Sequence, residues 1–252
     1  MSILTDYYEK YDEYGRLFKD KAHRIEYLTT LKYLNKYIPA KAIVLDCCAG
    51  TGTYAFWLAE NGFEVTATDL TKKHIDIMKY DKRANMLKDI FQHNALDMSE
   101  IADNTFDVVL CMGAYYHIHD SAERNKLITE CLRVLKKGGL FVLAYVNRNA
   151  IFLNHFKRNS CETLTFDNVI GDGRNDVFYA VDFAEIEALA NTYNIEKIAN
   201  IGVDGSMYIL IDEINSLNDA EFKKYMDYHF SVCEEQSIMG NSMHGLYFAK
   251  KE

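Results

Sequence analysis

Apolar residues recur along the chain with two different periods, which separates strand-like runs from helix-like segments. The strand-like runs are 42–47, 63–68, a weaker one near 89–93, 106–112 and 140–146. Between them, apolar residues recur every three or four positions, as in amphipathic helices, at 52–61, 72–84 and 121–136. Because crossover helices join parallel strands, this alternation predicts an α/β fold with a doubly wound, mainly parallel sheet of the Rossmann-like type.

The N-terminal region precedes the first predicted strand and carries two helical patterns. Residues 4–18 place leucines and tyrosines at three- and four-residue spacing, with charges on the opposite face. A second pattern runs from Ile25 to Tyr37, and Pro39 closes it. We therefore predict an N-terminal helical cap over residues 1–40, whose aromatic stripe forms either ordinary core or a lid.

After Tyr145 the alternation stops, and the following residues are polar and rich in turn formers. This change predicts an insertion or lid at 148–180, over the substrate site of a core built from 41–147 and 181–252. The remaining predicted elements are a helix near 183–193, a strand near 195–203, a strand at 206–211, a helix near 219–235 and a strand from Gly245 to Ala249.

The charge balance and the apolar runs indicate which classes of binding partner to expect. The 252 residues include 28 Lys and Arg against 37 Asp and Glu, so the formal net charge is −9. An acidic protein lacks the cations that neutralise phosphates, so we expect a small-molecule substrate and no nucleic acid. The sequence shows no apolar run long enough to cross a bilayer and no export signal, so no membrane partner is expected.

The six cysteines show no CxxC spacing, which favours small buried thiols in a reducing compartment over a zinc site or disulfides. We therefore expect a cytoplasmic monomer or homodimer that holds no metal.

The segment 44–70 couples a predicted strand, a glycine-rich turn and a second strand that ends in an acid. Gly-Thr-Gly at 50–52 forms the turn into a helix, where missing side chains let a ligand approach the backbone. Asp69 ends the second strand, where a carboxylate can accept hydrogen bonds from both hydroxyls of a ribose. Asp46 stands at the tip of the first strand. The segment therefore predicts a nucleoside site.

The turn alone fits two ligand classes, because residues 50–55 also satisfy the G-x-G-x-x-A fingerprint of dinucleotide-binding folds. An NAD(P)-dependent oxidoreductase is therefore one alternative, and a nucleoside-binding module without catalysis is another. The fixed negative charge of Asp46 would repel a pyrophosphate at the helix N-terminus but attract an ammonium. The charge favours a nucleoside that carries an amino acid.

This segment resembles the nucleoside-binding motif of class I S-adenosylmethionine-dependent methyltransferases, in which x-G-x-G-x-G follows an acidic residue. Cys48 replaces the first glycine of that motif, and Ala49, Gly50, Thr51 and Gly52 follow it. The resemblance implies that this turn backs the methionine part of S-adenosylmethionine. The expected fold is then that of the family, over roughly residues 40–148.

The resemblance also implies cofactor contacts on either side of the turn. Asp46 would serve the methionine end, Asp69 would hold the ribose, and Leu70 would pack on the adenine. The stretch QHNALDM at 92–98 is similar to the family's G-D-A-x-D-L stretch, which places Asn94 at the adenine amino group, with Ala95 beside it.

Two further stretches follow the family's plan. FDVVLCMGAYYHI at 106–118 is similar to its fourth strand and the loop lining cofactor and substrate, so Met112 and Gly113 are expected at the cofactor. LRVLKKGGLFVLAYVNR at 132–148 resembles its helix, glycine turn and fifth strand. The resemblance therefore implies a methyltransferase that uses S-adenosylmethionine as cofactor and methylates a small molecule.

Methyl transfer from a sulfonium is an in-line displacement, so alignment and exclusion of water are the main tasks. Ligands bind outside the carboxyl ends of parallel strands, which makes His117, Tyr116 and Tyr145 the catalytic candidates. His117 could act as a general base or be a loop histidine bonded to nearby backbone. Tyr116 could face the sulfonium or pack in the core.

Tyr11 and Arg16 lie near Gly15, where the first helix could break, and are candidate cofactor contacts from a lid. The Arg16 guanidinium could pair with the cofactor carboxylate, a role for which Arg24 competes. Several other residues could border a substrate pocket, but nothing in the sequence assigns them a role: His155, Phe156, Asp167, Tyr179 and His244.

Overall fold

The computed structural model describes residues 7–8, 10–11, 13–158 and 177–252. The helices are α1 (Lys21–Tyr37), α2 (Thr53–Glu60), α3 (Lys72–Tyr80), α4 (Ser121–Val134), α5 (Arg148–Arg158), α6 (Phe183–Glu187), α7 (Leu189–Thr192), α8 (Ile211–Ser216), α9 (Asp219–Val232) and α10 (Gln236–Met239). The strands are β1 (Ile43–Asp46), β2 (Glu64–Asp69), β3 (Asp89–Gln92), β4 (Phe106–Cys111), β5 (Leu135–Asn147), β6 (Ala180–Val181), β7 (Ile195–Gly202) and β8 (His244–Lys251). Short 3₁₀ turns span Arg16–Phe18, Ala84–Met86 and Tyr115–His117.

The strands of the described residues form one sheet in the order β3-β2-β1-β4-β5-β8-β7, with β6 beside β5. The pairs from β3 to β5 are parallel, whereas β8 runs antiparallel between β5 and β7. The predicted fold class, a doubly wound and mainly parallel sheet, is confirmed. From β1 to β3 successive strands are added on one side of β1, and from β4 onward they are added on its other side. The switch point between β1 and β4 is where such folds bind ligands.

The register brings the strand ends that matter to one edge of the sheet. Asp46 pairs with Ala67 of β2 and with Leu110 of β4. The last residues of β1, β2 and β4 therefore lie side by side, because parallel strands end at a common edge. Predicted ligand groups from separate parts of the sequence meet there.

Both faces of the sheet are covered by apolar side chains. One face packs under α1, α2 and α3, with Tyr33, Phe56 and Met78 buried in it. The opposite face packs under α4, α6 and α7, around Leu127 and Phe141. Helix α1 therefore forms part of the core, since its inward side chains also contact the C-terminal helices.

Helix α1 begins after an N-capping residue, Asp20, and ends before a helix-breaking proline, Pro39. The Asp20 carboxylate accepts the His23 backbone N–H at the first turn. Pro39 follows the last turn, where Ile38 has already left the helical conformation. The predicted second helix is therefore confirmed.

The predicted strand at 206–211 is wrong. Residues after Asp204 turn instead, because Gly205 adopts a positive φ of 53° and the Met207 N–H bonds back to the Asp204 carbonyl. Helix α8 then begins at Ile211, and Ile214 packs in a cluster with residues of α1. Met207 of the run is buried in the same cluster, so the apolar run reflects a turn packed against α1, which a short run cannot distinguish from a strand.

The helical pattern over 4–18 does not continue through its second half, in agreement with the break expected near Gly15. Residues 13–15 form a turn and Arg16–Phe18 a separate 3₁₀ turn, whereas 1–6, 9 and 12 lie outside the described residues. The predicted helix near 183–193 is divided into α6 and α7. In the predicted insertion, 148–158 is helical and 159–176 lies outside the described residues.

Among the described residues, none of the helices combines the length and apolar character that a bilayer crossing requires.

Candidate functional site

A cleft of about 250 Å³ opens at the carboxyl ends of β1, β2 and β4. Most of the predicted site residues line it: Arg16, Asp46, Cys48, Ala49, Gly50, Thr51, Asp69, Leu70, Asn94, Ala95, Met112, Gly113, Tyr116 and His117. The structure thus brings together residues whose sequence positions lie far apart.

Asp46 is the most unusual group in the cleft. Its side chain is buried, with 1% of the residue exposed, and neither carboxyl oxygen has a hydrogen-bond partner. Burial raises the pKa of Asp46 to about 8, the Asp69 carboxylate adds to the rise, and the nearby Cys48 backbone N–H opposes it. The charge that the sequence implied is therefore suppressed until a cationic group supplies the missing partner.

Asp69 is held in place by three donors. Its Oδ2 accepts the Gly50 backbone N–H at 2.9 Å, and its Oδ1 accepts the Thr71 backbone N–H at 2.8 Å. His74 Nδ1 lies 3.1 Å from the same Oδ1. The carboxylate therefore ties the glycine turn to the end of β2, while its position in the cleft wall leaves it facing a ligand.

The glycines of the site serve different purposes. Gly50 has a positive φ of 56° and lines the cleft, so its bare backbone faces the ligand space. Gly52 does not line the cleft. A Cβ there would lie 2.8 Å from Phe56 and 2.9 Å from Met78, so Gly52 lets α2 pack behind the turn. Gly52 therefore has a packing role, and its expected cofactor contact stays a prediction.

The predicted adenine end is more open than the rest of the cleft. Leu70 is 48% exposed, and its backbone carbonyl accepts a hydrogen bond from the Gln92 side chain. Asn94 Oδ1 already accepts the Leu96 backbone N–H at 3.0 Å. Since an amide oxygen has two lone pairs, a second donor can still approach it. The adenine role of Asn94 stays a prediction.

The N-terminal segment covers the cleft. Tyr8, Glu13, Arg16 and Leu17 all contribute to its wall. The Glu13 side chain reaches over the glycine turn, since a Cβ on Gly50 would lie 3.7 Å from Glu13 Cγ. These residues form part of the cleft wall, and the lid interpretation of the segment stays a prediction.

His117, the predicted general base, has both ring nitrogens engaged. Its Nδ1 lies 2.8 Å from the Val177 carbonyl, which can only accept, so Nδ1 carries the proton. Its Nε2 then accepts the Tyr8 hydroxyl at 2.7 Å. Burial lowers the pKa of His117 to about 4. This geometry makes His117 a neutral anchor for Tyr8 and a weak base.

Arg16 faces carboxylates of the chain itself. Its two terminal nitrogens bind Glu26 at 2.6 and 2.9 Å, and Nε binds Glu13 at 3.1 Å. Burial alone would raise the pKa of Glu26, but the Arg16 guanidinium, followed by His244, lowers it to about 2. Arg16 thus joins the cleft to a second polar cluster. Its predicted pairing with a cofactor carboxylate would have to share the guanidinium with Glu26.

Two other predicted residues do not line the cleft. The Tyr145 hydroxyl donates to Asn200 Oδ1 at 2.9 Å inside the sheet core, and the residue is 2% exposed. Its ring fills the space beside Gly245, so it turns away from the ligand edge. Tyr11 stacks on Tyr7 beside the cleft. The structure gives neither tyrosine a ligand contact.

Sequence reasoning missed several cleft residues, among them Tyr8, Glu13, Tyr54 and His74. Tyr8 belongs to the aromatic stripe, where nothing distinguished it from its neighbours. His74 follows Asp69 by five residues, so its position one helical turn into α3 was a usable signal. Glu13 could not be found, because its place over the turn depends on the chain breaking near Gly15.

Comparison with known proteins shows that part of the chain is similar to methyltransferases. Residues 45–143 match a family model described as a methyltransferase domain. A ubiquinone biosynthesis O-methyltransferase of Rickettsia typhi is 28% identical over 146 residues, which are 58% of this chain and 58% of that protein. The protein of the same name from Coxiella burnetii is 29% identical over 120 residues, 47% of this chain and 50% of that one. The chain thus matches only about half the length of these relatives.

Solved structures support the same fold. A protein of Pyrococcus horikoshii superposes with a TM-score of 0.63 at 19% identity, over 96% of this chain and 100% of that one. A Thermotoga maritima protein described as an SAM-dependent methyltransferase, possible histamine N-methyltransferase, gives a TM-score of 0.59 at 16% identity, with both chains covered in full. The oxidoreductase alternative gains no support from these matches. Residues 45–143 are therefore similar to a methyltransferase domain, and the chain shares its fold with the methyltransferase structure from Thermotoga maritima.

Proposed function

We propose that the protein transfers a methyl group from S-adenosylmethionine to a small-molecule acceptor by in-line displacement. The observation that carries the proposal is the buried Asp46 carboxyl, both of whose oxygens lack partners in the wall of the cleft. A group of this kind is stabilised when a ligand supplies a donor or a positive charge. The methionine ammonium of the cofactor supplies both.

The rest of the cleft fits the remaining parts of the same cofactor. The Asp69 carboxylate, which Gly50 and Thr71 hold in place, would accept the ribose hydroxyls. Leu70, Asn94 and Ala95 line the end where the adenine would lie. When bound, the cofactor would supply a sulfonium methyl group that a nucleophile can attack directly, with the neutral thioether as leaving group and no covalent enzyme intermediate.

The chain's own residues would align the acceptor and keep water out. Tyr116 lines the cleft, and its hydroxyl donates to the Met112 carbonyl at 3.2 Å, so its ring is fixed in the wall. Tyr8 and Leu17 cover the cleft from the N-terminal segment. A closed, preorganised site of this type accelerates displacement mainly through proximity and exclusion of solvent.

Two observations support a small acceptor. Residues of the N-terminal segment cover the cleft, and the net charge of −9 disfavours polyanionic substrates. Similarity to two ubiquinone biosynthesis O-methyltransferases supports oxygen as the methylated atom. Five cysteines among the described residues are free thiols, which supports a reducing compartment such as the cytoplasm.

Thermal shift with S-adenosylmethionine, S-adenosylhomocysteine and NAD tests the cofactor. A specific ligand at a hundred times its Kd stabilises the folded state by about 2.7 kcal/mol. We expect a clear rise in Tm with the first two compounds and none with NAD. A rise with NAD alone would refute the assignment. Turnover is then tested with methyl-labelled cofactor and a metabolite extract, where label must appear in a small product.

A further inference from the structure

A second polar cluster lies beside the cleft, and the cofactor site does not use it. We call it the acceptor-side cluster: Arg16, Glu26, Asp204, Ser242 and His244. His244 opens β8 opposite Val146, near the end of β5, and Asp204 follows the end of β7. The cluster therefore sits at the same edge of the sheet as the cleft, with Arg16 belonging to both.

The Asp204 carboxylate is fixed by its surroundings. It is fully buried, and its Oδ1 lies 2.5 Å from Ser242 Oγ and accepts the His244 backbone N–H at 3.2 Å. Ser242 Oγ in turn accepts the backbone N–H groups of Asp204 and Gly205. A carboxylate held this way can orient a neighbouring ring with little loss of conformational entropy.

The ring that Asp204 orients is that of His244. Nδ1 of His244 lies 2.7 Å from Asp204 Oδ2 and 3.5 Å from Glu26 Oε2. Nδ1 therefore keeps a proton, and Nε2 carries the lone pair of the neutral ring. Within the described part of the chain, no hydrogen bond to Nε2 is found, and the side chain keeps 18% exposure. Nε2 is the atom open to a ligand.

Four charged or titratable groups face this ring: Glu26, Asp204, Arg16 and Tyr208. Burial lowers the pKa of His244, but Glu26 and then Asp204 outweigh it and raise the pKa, while Arg16 opposes them. The Tyr208 ring centroid lies 6.0 Å from that of His244. Two carboxylates therefore stabilise the imidazolium that forms when Nε2 takes a proton.

We propose that His244 is the proton acceptor for a hydroxyl-bearing acceptor, of the phenol or enol class, and that Asp204 is its positioning residue. The inference rests on the proposed function. The acceptor O–H bond breaks as its proton passes to Nε2, and the oxygen bonds to the methyl carbon. The electron pair of the broken carbon–sulfur bond stays on sulfur, which becomes a neutral thioether. The imidazolium later releases the proton to water.

His117 serves this role less well, because its Nε2 is occupied by Tyr8 and its low pKa makes it a weak base. The ligand atoms of Glu26, Asp204 and His244 also lie close enough together to suggest a metal ion. Arg16, however, binds both oxygens of Glu26, and its positive charge would repel a cation. The proton-acceptor role is therefore favoured.

The first test needs no acceptor. NMR titration of the protein bound to S-adenosylhomocysteine should show His244 with its proton on Nδ1 and a pKa above that of ordinary histidine. Asp204→Asn should lower that pKa, and His244→Gln should leave the affinity for S-adenosylhomocysteine within about twofold. A proton on Nε2, or an unchanged pKa in Asp204→Asn, overturns the proposal. Tight Mg²⁺ or Zn²⁺ binding that shifts the His244 signals also overturns it.

The second test measures turnover with labelled cofactor, using catechol and the hydroxyl compounds of a metabolite extract. His244→Gln should lower kcat by at least about 100-fold, the scale of general base catalysis. Asp204→Asn should move the rising limb of the pH–rate profile to lower pH. His23→Gln is the matched control, because His23 contacts Asp20 at the same 2.7 Å outside the cleft.

The results separate the two proposals. A protein that fails to bind the cofactor overturns both. A protein that binds it but labels only compounds without a hydroxyl acceptor, such as amines, overturns the inference about His244 alone, whereas one that labels no small molecule overturns both. An unchanged kcat in His244→Gln also overturns the inference about His244 alone.

Discussion

The proposed cofactor end of the cleft and the acceptor-side cluster beside it differ in how they are assembled and in how their charges are paired. At the cofactor end, Asp46, the glycine turn and Asp69 come from one continuous segment, 44–70. In the acceptor-side cluster, Arg16 and Glu26 precede the sheet, whereas Asp204 and His244 come from the last part of the chain. The cofactor end is encoded locally, and the cluster exists only after folding.

The charges differ in the same way. Neither carboxyl oxygen of Asp46 has a hydrogen-bond partner, so its burial destabilises the fold, and a ligand that supplies a donor would offset that cost. In the acceptor-side cluster, Arg16 and Glu26 share two hydrogen bonds, and Asp204 and His244 are paired. The comparison indicates that Asp46 contributes to ligand binding, whereas the ion pairs of the acceptor-side cluster contribute to the stability of the fold. Four variants test it.

Glu26→Gln should have the largest effect, on stability. It leaves the Arg16 guanidinium without its main counter-charge, and breaking a buried pair costs about 3 kcal/mol. We expect that loss in the free energy of unfolding, measured by urea denaturation. Lys223→Gln, which breaks the exposed Lys223–Asp227 pair, is the control and should change little. Equal effects of the two variants would mean that the cluster contributes no folding energy.

Asp69→Ala should weaken cofactor binding by about 1.5–3 kcal/mol, roughly 10- to 150-fold, because charged hydrogen bonds are lost. The variant also releases the Gly50 N–H that shapes the turn. Isothermal titration with S-adenosylhomocysteine measures the change. Asp76→Ala, an exposed carboxylate of α3, should bind normally. Unchanged affinity in Asp69→Ala would contradict the ribose assignment.

Asp46 should make both binding and stability depend on pH. Its pKa in the free folded protein is about 8, above the ordinary 3.8, so the folded state holds a proton that the unfolded state has lost between those values. The free energy of unfolding should therefore fall as pH rises through that window. Affinity for S-adenosylhomocysteine should rise by up to about 50-fold between pH 6 and pH 8, because the charged fraction of Asp46 rises from about 1% to about half.

Asp46→Asn should abolish both slopes, since an amide does not titrate in this range. We expect the variant to be more stable than the parent protein at pH 8 and to bind the cofactor product more weakly. Parallel pH profiles for the two proteins would show that Asp46 keeps its charge in the empty cleft.

Tyr8→Phe should have the smallest effect. It removes one hydrogen bond to His117, worth about 1 kcal/mol, so S-adenosylhomocysteine should dissociate roughly fivefold faster. Because the pKa of His117 is about 4, the difference should persist from pH 6 to pH 8. Stopped-flow release measures it. A rate equal to that of the parent protein would show that Tyr8 does not hold the cleft closed.

Much of the fold could be predicted because each signal was local. Buried apolar runs predicted the parallel strands, and apolar residues at three- and four-residue spacing predicted the helices. The strand predicted at 206–211 was wrong because that run is too short to show a period. The candidate site divides similarly. The turn and Asp69 were placed correctly at the cleft, whereas Tyr145 was expected there only because it lies near a strand end.

The sequence by itself determined the order of strands and helices and the cofactor cradle, because residues 44–70 contain both the turn and the acids that flank it. Only the tertiary structure decided the rest. Whether a histidine can accept a proton depends on which groups face each ring nitrogen, and His117 and His244 differ in that respect. Those partners come from distant segments, and no spacing along the chain records them.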